Sequence, residues 1–203
     1  MARKATFTKE QIVAKALQIV REKGVEGITA RSLGAALGSS SSPIFTHFNS
    51  MDEVLLEVGD AAKKMFDEYV SDVVDYMPAF KEFGIRLVRF ARQEPRLFNY
   101  IFDQIYPSNC CSQPVASQCL DGIGKVYGLN KEQTMILFRQ LWIQACGLAM
   151  MGTRQPELYN DDVVSEMLSY EFAAMMTFFK SGRQVTNIQP HKHIEGENEV
   201  MFF

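Results

Sequence analysis

Apolar positions recur at helical spacing from the first segment of the chain to the last, and no stretch alternates with a period of two, so the pattern predicts an all-α protein. Ile12, Ala16, Leu17 and Val20 mark a first helix, opened by Thr8-Lys9-Glu10-Gln11 as a capping box with Phe7 stapled to Ile12, and closed at Gly24. Thr29 caps a second helix, with Ile28 stapled to Leu33, which runs to about Leu37. Gly38 supplies the left-handed turn, and a serine run from Ser39 to Ser42 offers caps for a short third helix. Pro43 belongs in the first turn of that helix, its cap between Ser40 and Ser42 and its body through Ile44, Phe45, Thr46, His47 and Phe48. Ser50-Met51-Asp52-Glu53 is another capping box. From it, apolar Leu55, Val58, Ala62, Met65, Phe66, Tyr69 and Val73 continue to Met77 without a breaker, predicting a long helix rigidly joined to the first three.

Pro78 and Pro95 flank a helix through Phe80, Phe83, Leu87 and Phe90, and a further helix carries Leu97, Phe98, Ile101 and Phe102. Tyr106 to Pro114 reads as a loop. A helix from about Val115 to Tyr127 stops at Gly128, Asn130 caps a long one through Leu141 and Leu148, and Gly152 to Asn160 breaks the chain again. The last helix runs from Asp161 through Val164, Leu168, Phe172 and Phe179 to Gly182, and a polar tail around Pro190 and Gly196 follows. The expected division is a three-helix module over residues 1–50, a helical bundle over 51–182 and a tail over 183–203.

Helix, glycine turn and helix in succession form the helix-turn-helix unit, whose second helix enters the major groove of DNA. Packing the first helix on Leu33, Leu37, Ile44 and Phe48 leaves Thr29, Arg31, Ser41, Ser42, Thr46 and His47 to face a partner. The predicted recognition helix holds no Lys or Arg. Base reading then falls to the hydroxyls of Ser40, Ser41 and Ser42, to His47, and to contacts of Pro43 and Ile44 with thymine methyls, with Arg31 as the guanine reader. Arg3 and Lys4, on a short arm expected to be mobile, supply contacts to the DNA backbone.

Charge agrees in sign. The net charge of −3 hides an uneven distribution: residues 1–50 carry seven Lys and Arg against three Glu, and the remainder is acidic. Arg3 and Lys4 are followed by a polar amphipathic pattern instead of an apolar leader, and the longest apolar run, Leu141 to Met151, is short for a membrane span, so a cytoplasmic protein without a membrane partner is expected.

Thr29, Arg31, Leu33, Gly38, Ser40, Phe45, His47, Phe48, Ser50 and Leu55 stand at the motif spacing of the TetR/AcrR family of transcriptional regulators, and the segment resembles that family's N-terminal domain through turn, recognition helix and following cap together. Phe45 replaces a frequent Tyr and Met51 a usual Lys, which removes two phosphate contacts. Trp142, Cys146 and Gly147 resemble the Trp-x-x-x-His-Gly signature of one of the family's C-terminal domain types, with Cys146 in place of His. The resemblance implies a homodimer joined by a four-helix interface from the last two long helices, binding a palindromic double-stranded operator as a repressor.

The bundle would then be the sensor. Phe80, Phe83, Phe90, Phe98, Phe102, Met135, Phe138 and Trp142 are an aromatic and thioether set suited to a small apolar effector. A second reading is a thiol sensor built on Cys110, Cys111 and Cys119, in which Cys119 is the better partner because adjacent cysteines seldom form an unstrained disulfide. No Ser-His-Asp spacing, glycine-rich phosphate loop or metal-ligand motif is present, so neither catalysis nor a cofactor is expected. His191 and His193 on the tail read as solvated side chains and not as metal ligands.

Overall fold

The computed structural model describes residues 7–71, 79–105, 120 and 122–182, and among these every regular element is helical. Helix α1, Lys9–Lys23, begins with the expected box: the Thr8 hydroxyl accepts from the Gln11 amide at 3.3 Å, and the Gln11 side chain accepts from the Thr8 amide at 3.0 Å. At the same helix start, a hydrogen bond from its own backbone amide first and one from the Thr8 hydroxyl second hold the exposed Glu10 carboxyl below the usual carboxylate range. Helix α1 buries Ile12, Val13, Ala16, Ile19 and Val20, and a 3-10 turn at Val25–Gly27 leads to helix α2, Ala30–Ala36.

A second 3-10 turn, Ile44–Thr46, separates α2 from the long helix α3, Met51–Val70. The Ser50 hydroxyl caps α3 by accepting from the Glu53 amide at 3.2 Å. The reciprocal half of the expected box goes elsewhere: the Glu53 carboxylate accepts from the backbone amide and side-chain amide of Asn49, at 2.7 and 3.0 Å, so it ties down the residue before the cap. The expected extension of α3 through Val73 to Met77 lies outside the described residues, as does the Tyr106–Pro114 loop.

The body is built from α4, Ala79–Gln93; α5, Pro95–Tyr100, which widens into a π turn at Ile101–Ile105; α6, residues 122–127; α7, Lys131–Gly152; and α8, Asp161–Lys180. Pro95 occupies the first turn of α5, where its missing N–H costs nothing. Asn130 closes a capping box on Gln133 at the start of α7, and Asn160 caps α8 through the Val163 amide. Helix α4 is the central element and packs on both α7 and α8. Its Phe80, Phe83, Leu87, Val88, Phe90 and Ala91 are buried, while Arg89 and Arg92 reach outward to clamp Asp161 at the start of α8 with bonds of 2.6 to 3.0 Å. That carboxylate sits among two guanidiniums and the positive end of a helix dipole, and the Asp161 bond raises the Arg89 pKa further.

Helix α1 docks on α3 and α5, so the first module and the body share one continuous apolar core. Polar ties reinforce the contact. Arg21 pairs with Glu94 at 3.1 Å, and the Arg96 guanidinium donates to the Arg21 and Glu22 carbonyls at the C-terminal end of α1, where the helix dipole favours a cation. The Tyr100 hydroxyl donates to the Leu55 carbonyl at 2.9 Å, joining α5 to α3, and burial pushes its pKa up.

Candidate functional site

The turn after α2 follows from two glycines. Gly38 has φ +65, and its amide donates to the Ala35 carbonyl while the Ser39 amide donates to the Gly34 carbonyl, both at 2.9 Å. This pair of bonds is a Schellman ending, which reverses the chain after a helix of only seven residues. Gly34 has a different role that the periodic reading missed. A Cβ there would lie 2.9 Å from the Ser40 carbonyl carbon and 3.0 Å from the Ser41 nitrogen, so its hydrogen is what lets the serine run cross over α2. The only sequence signal was a glycine inside an otherwise helical stretch. Gly34→Ala is expected to cost about 1–3 kcal/mol through this overpacking. Urea unfolding would check it against the exposed control Ala35→Ser, and equal midpoints would show that the approach is looser than described.

The segment expected as a recognition helix is a single 3-10 turn. Its bonds run from the Ile44 amide to the Ser41 carbonyl at 3.1 Å and from the Thr46 amide to the Pro43 carbonyl at 3.4 Å. No side chain caps it: Pro43 occupies the cap position, and the Ser40 hydroxyl reaches only the Ser42 amide at 3.4 Å. The physical reason lies in the residues. Four serines favour local turns over helix, Pro43 donates nothing, and the Thr46 hydroxyl donates back to the Pro43 carbonyl at 2.6 Å.

Burial sorts the predicted DNA-facing residues. Ile44 and Pro43 are buried, so the expected contacts to thymine methyls are not available from them, and both residues instead anchor the turn in the core beside Leu33 and Phe48. Thr29, Arg31, Ser40, Ser42, Phe45, Thr46 and His47 are exposed and Ser41 is half-buried. Phe45, counted among the residues expected to face DNA, has its ring 47% exposed beside a buried Ile44, which leaves an apolar tip on an otherwise polar surface. The Thr29 hydroxyl is committed to capping, accepting from the Ser32 amide at 3.0 Å. Arg31 makes no ion pair among the described residues. Lys9, by contrast, is spent on Glu57 and stands 5.4 Å above the Phe48 ring, fastening α1 to the start of α3. Met51, in place of a cation, is half-buried against the core. Arg3 and Lys4 lie outside the described residues.

The aromatic set in the body is placed differently from a cavity wall. Phe83, Phe90 and Phe98 are almost fully buried and pack ring to ring: Phe66 on Phe90 at 5.2 Å, Phe83 on Trp142 at 5.5 Å, and Phe98 stacked on Phe102 at 4.3 Å. Phe138 continues the series against Phe80 and Trp142, and Met135 is exposed. A cavity of about 180 Å³ opens beside this cluster, among α4, α6, α7 and α8. Its apolar walls are Phe80, Ile123, Leu141, Leu168 and Phe172, and Lys81, Tyr127 and Ser169 are its polar members. Of the side chains expected to meet an effector, Phe80 lines it and the other seven do not. Cys110, Cys111 and Cys119, like His191 and His193, lie outside the described residues.

Helices α7 and α8 each keep an uncovered apolar face. On α7, Leu137, Leu141, Ala145, Leu148 and Ala149 turn inward, while Ile136, Ile143, Gly147 and Met150 recur at helical spacing on the opposite side. Ile143 and Met150 are 58% and 59% exposed, and a Cβ at Gly147 would meet nothing within 4 Å. On α8, Met167, Tyr170, Ala173, Ala174 and Thr177 are exposed. By length and apolar composition α7 passes the test for a membrane-crossing helix, but its inner side is packed on α4 and α8, as in a core helix with one face left over.

No family model and no curated protein matches the chain. Solved structures do. A transcriptional regulator from Rhodococcus sp. Rha1 superposes with a TM-score of 0.63 at 17% identity, over 85% of this chain and 97% of that one. A member of the TetR family from Streptomyces coelicolor gives 0.56 at 18% identity, over 81% of this chain and 98% of its own. A TetR variant from Acinetobacter baumannii AYE, solved in complex with minocycline, gives 0.54 at 16% identity, over 92% and 100%. Likeness across nearly the whole of each neighbour, at so low an identity, is a likeness of fold, and the fold of this chain is that of the TetR-family transcriptional regulators.

Proposed function

We propose that this chain is a sequence-specific DNA-binding regulator and not an enzyme: a cytoplasmic homodimeric repressor that leaves an inverted-repeat operator when a small molecule occupies its body. The observation that carries the reading is the α2–turn–3-10 unit with Arg31, Ser42, Phe45, Thr46 and His47 exposed, set within a TetR-like fold. Residues 1–50 would meet DNA, and residues 51–182 would sense and dimerise. A single short 3-10 turn offers few base contacts, so useful affinity needs two copies spaced about 34–36 Å apart on successive major grooves. The uncovered faces of α7 and α8 supply the surface that joins them.

Coupling from body to DNA runs through α4, since α4 meets the cavity at one end and the DNA module at the other. Phe80 and Lys81 at its start line the cavity. At its far end Gln93 accepts from the Tyr69 hydroxyl at 3.3 Å, and the next residues, Glu94 and Arg96, hold the C-terminal end of α1. A ligand shifts this assembly only by its differential affinity for two positions of α4; a coupling of about 1–3 kcal/mol lowers operator affinity roughly 5- to 150-fold.

The test is selection of bound duplexes from a randomised library with the purified protein. An enriched inverted repeat is the expected result, and a pool with no enriched sequence would end the proposal. On the selected duplex, Arg31→Ala is expected to cost about 1–3 kcal/mol and to relax discrimination at one position per half-site. Equal weakening on every sequence would make Arg31 a phosphate contact instead.

A further inference from the structure

We infer that the cavity among α4, α6, α7 and α8 selects a small monocarboxylate, an acid whose apolar body is a single aromatic ring or a short alkyl chain. Binding itself stands on the cavity alone, and only its regulatory consequence rests on the reading of the chain as an effector-released repressor.

Size comes first. At about 180 Å³ the space is well below the roughly 300–1,000 Å³ of pockets for drug-sized ligands, and close to the ~150 Å³ apolar cavity that holds a benzene. One ring or a chain of similar bulk fits, and a polycyclic compound does not. Shape adds to this, because Tyr127 and Phe172 present rings 4.8 Å apart at a tilt, with Phe80 also in the wall, a setting in which an aromatic guest meets ring faces and edges.

Charge decides the class. Among the described residues the lining holds one cation, Lys81, and no acidic residue. Lys81 is half-buried and makes no ion pair among the described residues, whereas its neighbour Glu82 is consumed by Arg86 at 2.9 Å. An ammonium at the edge of an apolar cavity, with its nearest carboxylate neighbour in sequence already paired, favours an anion that brings its own apolar body. The hydroxyls divide the same way. Ser169 donates its proton to the Ser165 carbonyl at 2.8 Å, which leaves the Ser169 oxygen as an acceptor. Tyr127 makes no hydrogen bond among the described residues, so its hydroxyl is the second donor available to a carboxylate beside Lys81. An amine would meet like charge, and a neutral amide would forgo the charge-assisted bond.

Isothermal titration of the full chain with phenylacetate, phenylacetamide and phenethylamine tests this. Phenylacetate is expected to bind at least about ten-fold more tightly than the amide, and the amine not measurably, because a hydrogen bond between two charged groups is much stronger than one to a neutral acceptor. Lys81→Met should bring phenylacetate down to the level of the amide while leaving amide binding unchanged, and Lys81→Arg should restore the preference. Tyr127→Phe is expected to weaken phenylacetate alone. Equal affinity for acid and amide, an acid affinity untouched by Lys81→Met, or no binding of any of the three overturns the inference. A gel shift on the selected duplex separates the two claims: phenylacetate that binds without releasing DNA upholds the carboxylate site and counts against effector release.

Discussion

Replacing Ile143 and Met150 together with glutamate is expected to leave a folded monomer that binds the selected inverted repeat roughly 10²- to 10⁴-fold more weakly, the range by which linking two sites raises affinity. Both side chains are more than half exposed on the face of α7 that turns away from α4, so the isolated chain loses no core contact when they change. In a dimer that buries this face, two carboxylates per copy would be desolvated without a partner, and each symmetry-related pair would place like charges together. Gly147 between them leaves room for a second helix to approach closely, and on α8 the exposed Ala173 and Ala174 do the same. Sedimentation equilibrium at micromolar concentration reads the oligomeric state, circular dichroism reads the fold, and a gel shift reads the affinity. A dimer that survives both glutamates would place the interface elsewhere.

The elements of this fold were legible because its boundaries are chemically marked. Thr8, Thr29, Ser50 and Asn130 each cap a helix as expected, Asn160 at the end of the predicted break caps the last one, and Gly24, Gly38, Gly128 and Gly182 all take positive φ at helix ends. Capping and left-handed turns are local, so a few neighbouring residues suffice to read them. The segment expected as a recognition helix was harder because two local signals conflict there. A serine run and Pro43 mark a helix start, yet they are also poor material for continuing one, and the outcome is a 3-10 turn. The backbone crossing at Gly34 was invisible for another reason: it depends on a segment six residues further on lying across the helix.

The cavity shows a limit of a different kind. Periodicity assigns an aromatic residue to an inward face without telling whether that face meets another side chain or empty space. Phe83, Phe90 and Phe98 are enclosed among other rings; Phe80 and Phe172, although each also meets a ring, border the cavity together with Leu141 and Leu168. Lys81 carried no signal at all, since a lysine next to a buried phenylalanine on a helix is ordinary. What gives it weight is a pairing pattern in three dimensions, where Glu82 and Arg86 take each other and leave Lys81 facing the cavity.

Phe98→Ala separates core from sensor. Its side chain is 1% exposed, stacked on Phe102, and lies on α5 away from the cavity lining. Truncation removes the ring from a packed site that cannot collapse fully, because α1, α3 and α4 all pack on or around α5 and its π extension. The expected loss is about 3–5 kcal/mol of stability. In a chain of this size each kcal/mol moves Tm by roughly 2–4 °C, so the midpoint should fall by roughly 6–20 °C when compared with the parent at one protein concentration. Phenylacetate affinity, measured well below the lowered midpoint, should stay within about two-fold of the parent, since none of the lining atoms has changed. Phe172→Ala is the counterpart: its half-buried ring borders the cavity, so its loss should cost less stability and alter binding more. If Phe98→Ala abolishes ligand binding while the fold persists, the ring belongs to the sensor as the sequence pattern first suggested, and the small cavity beside α6 is only part of a larger site.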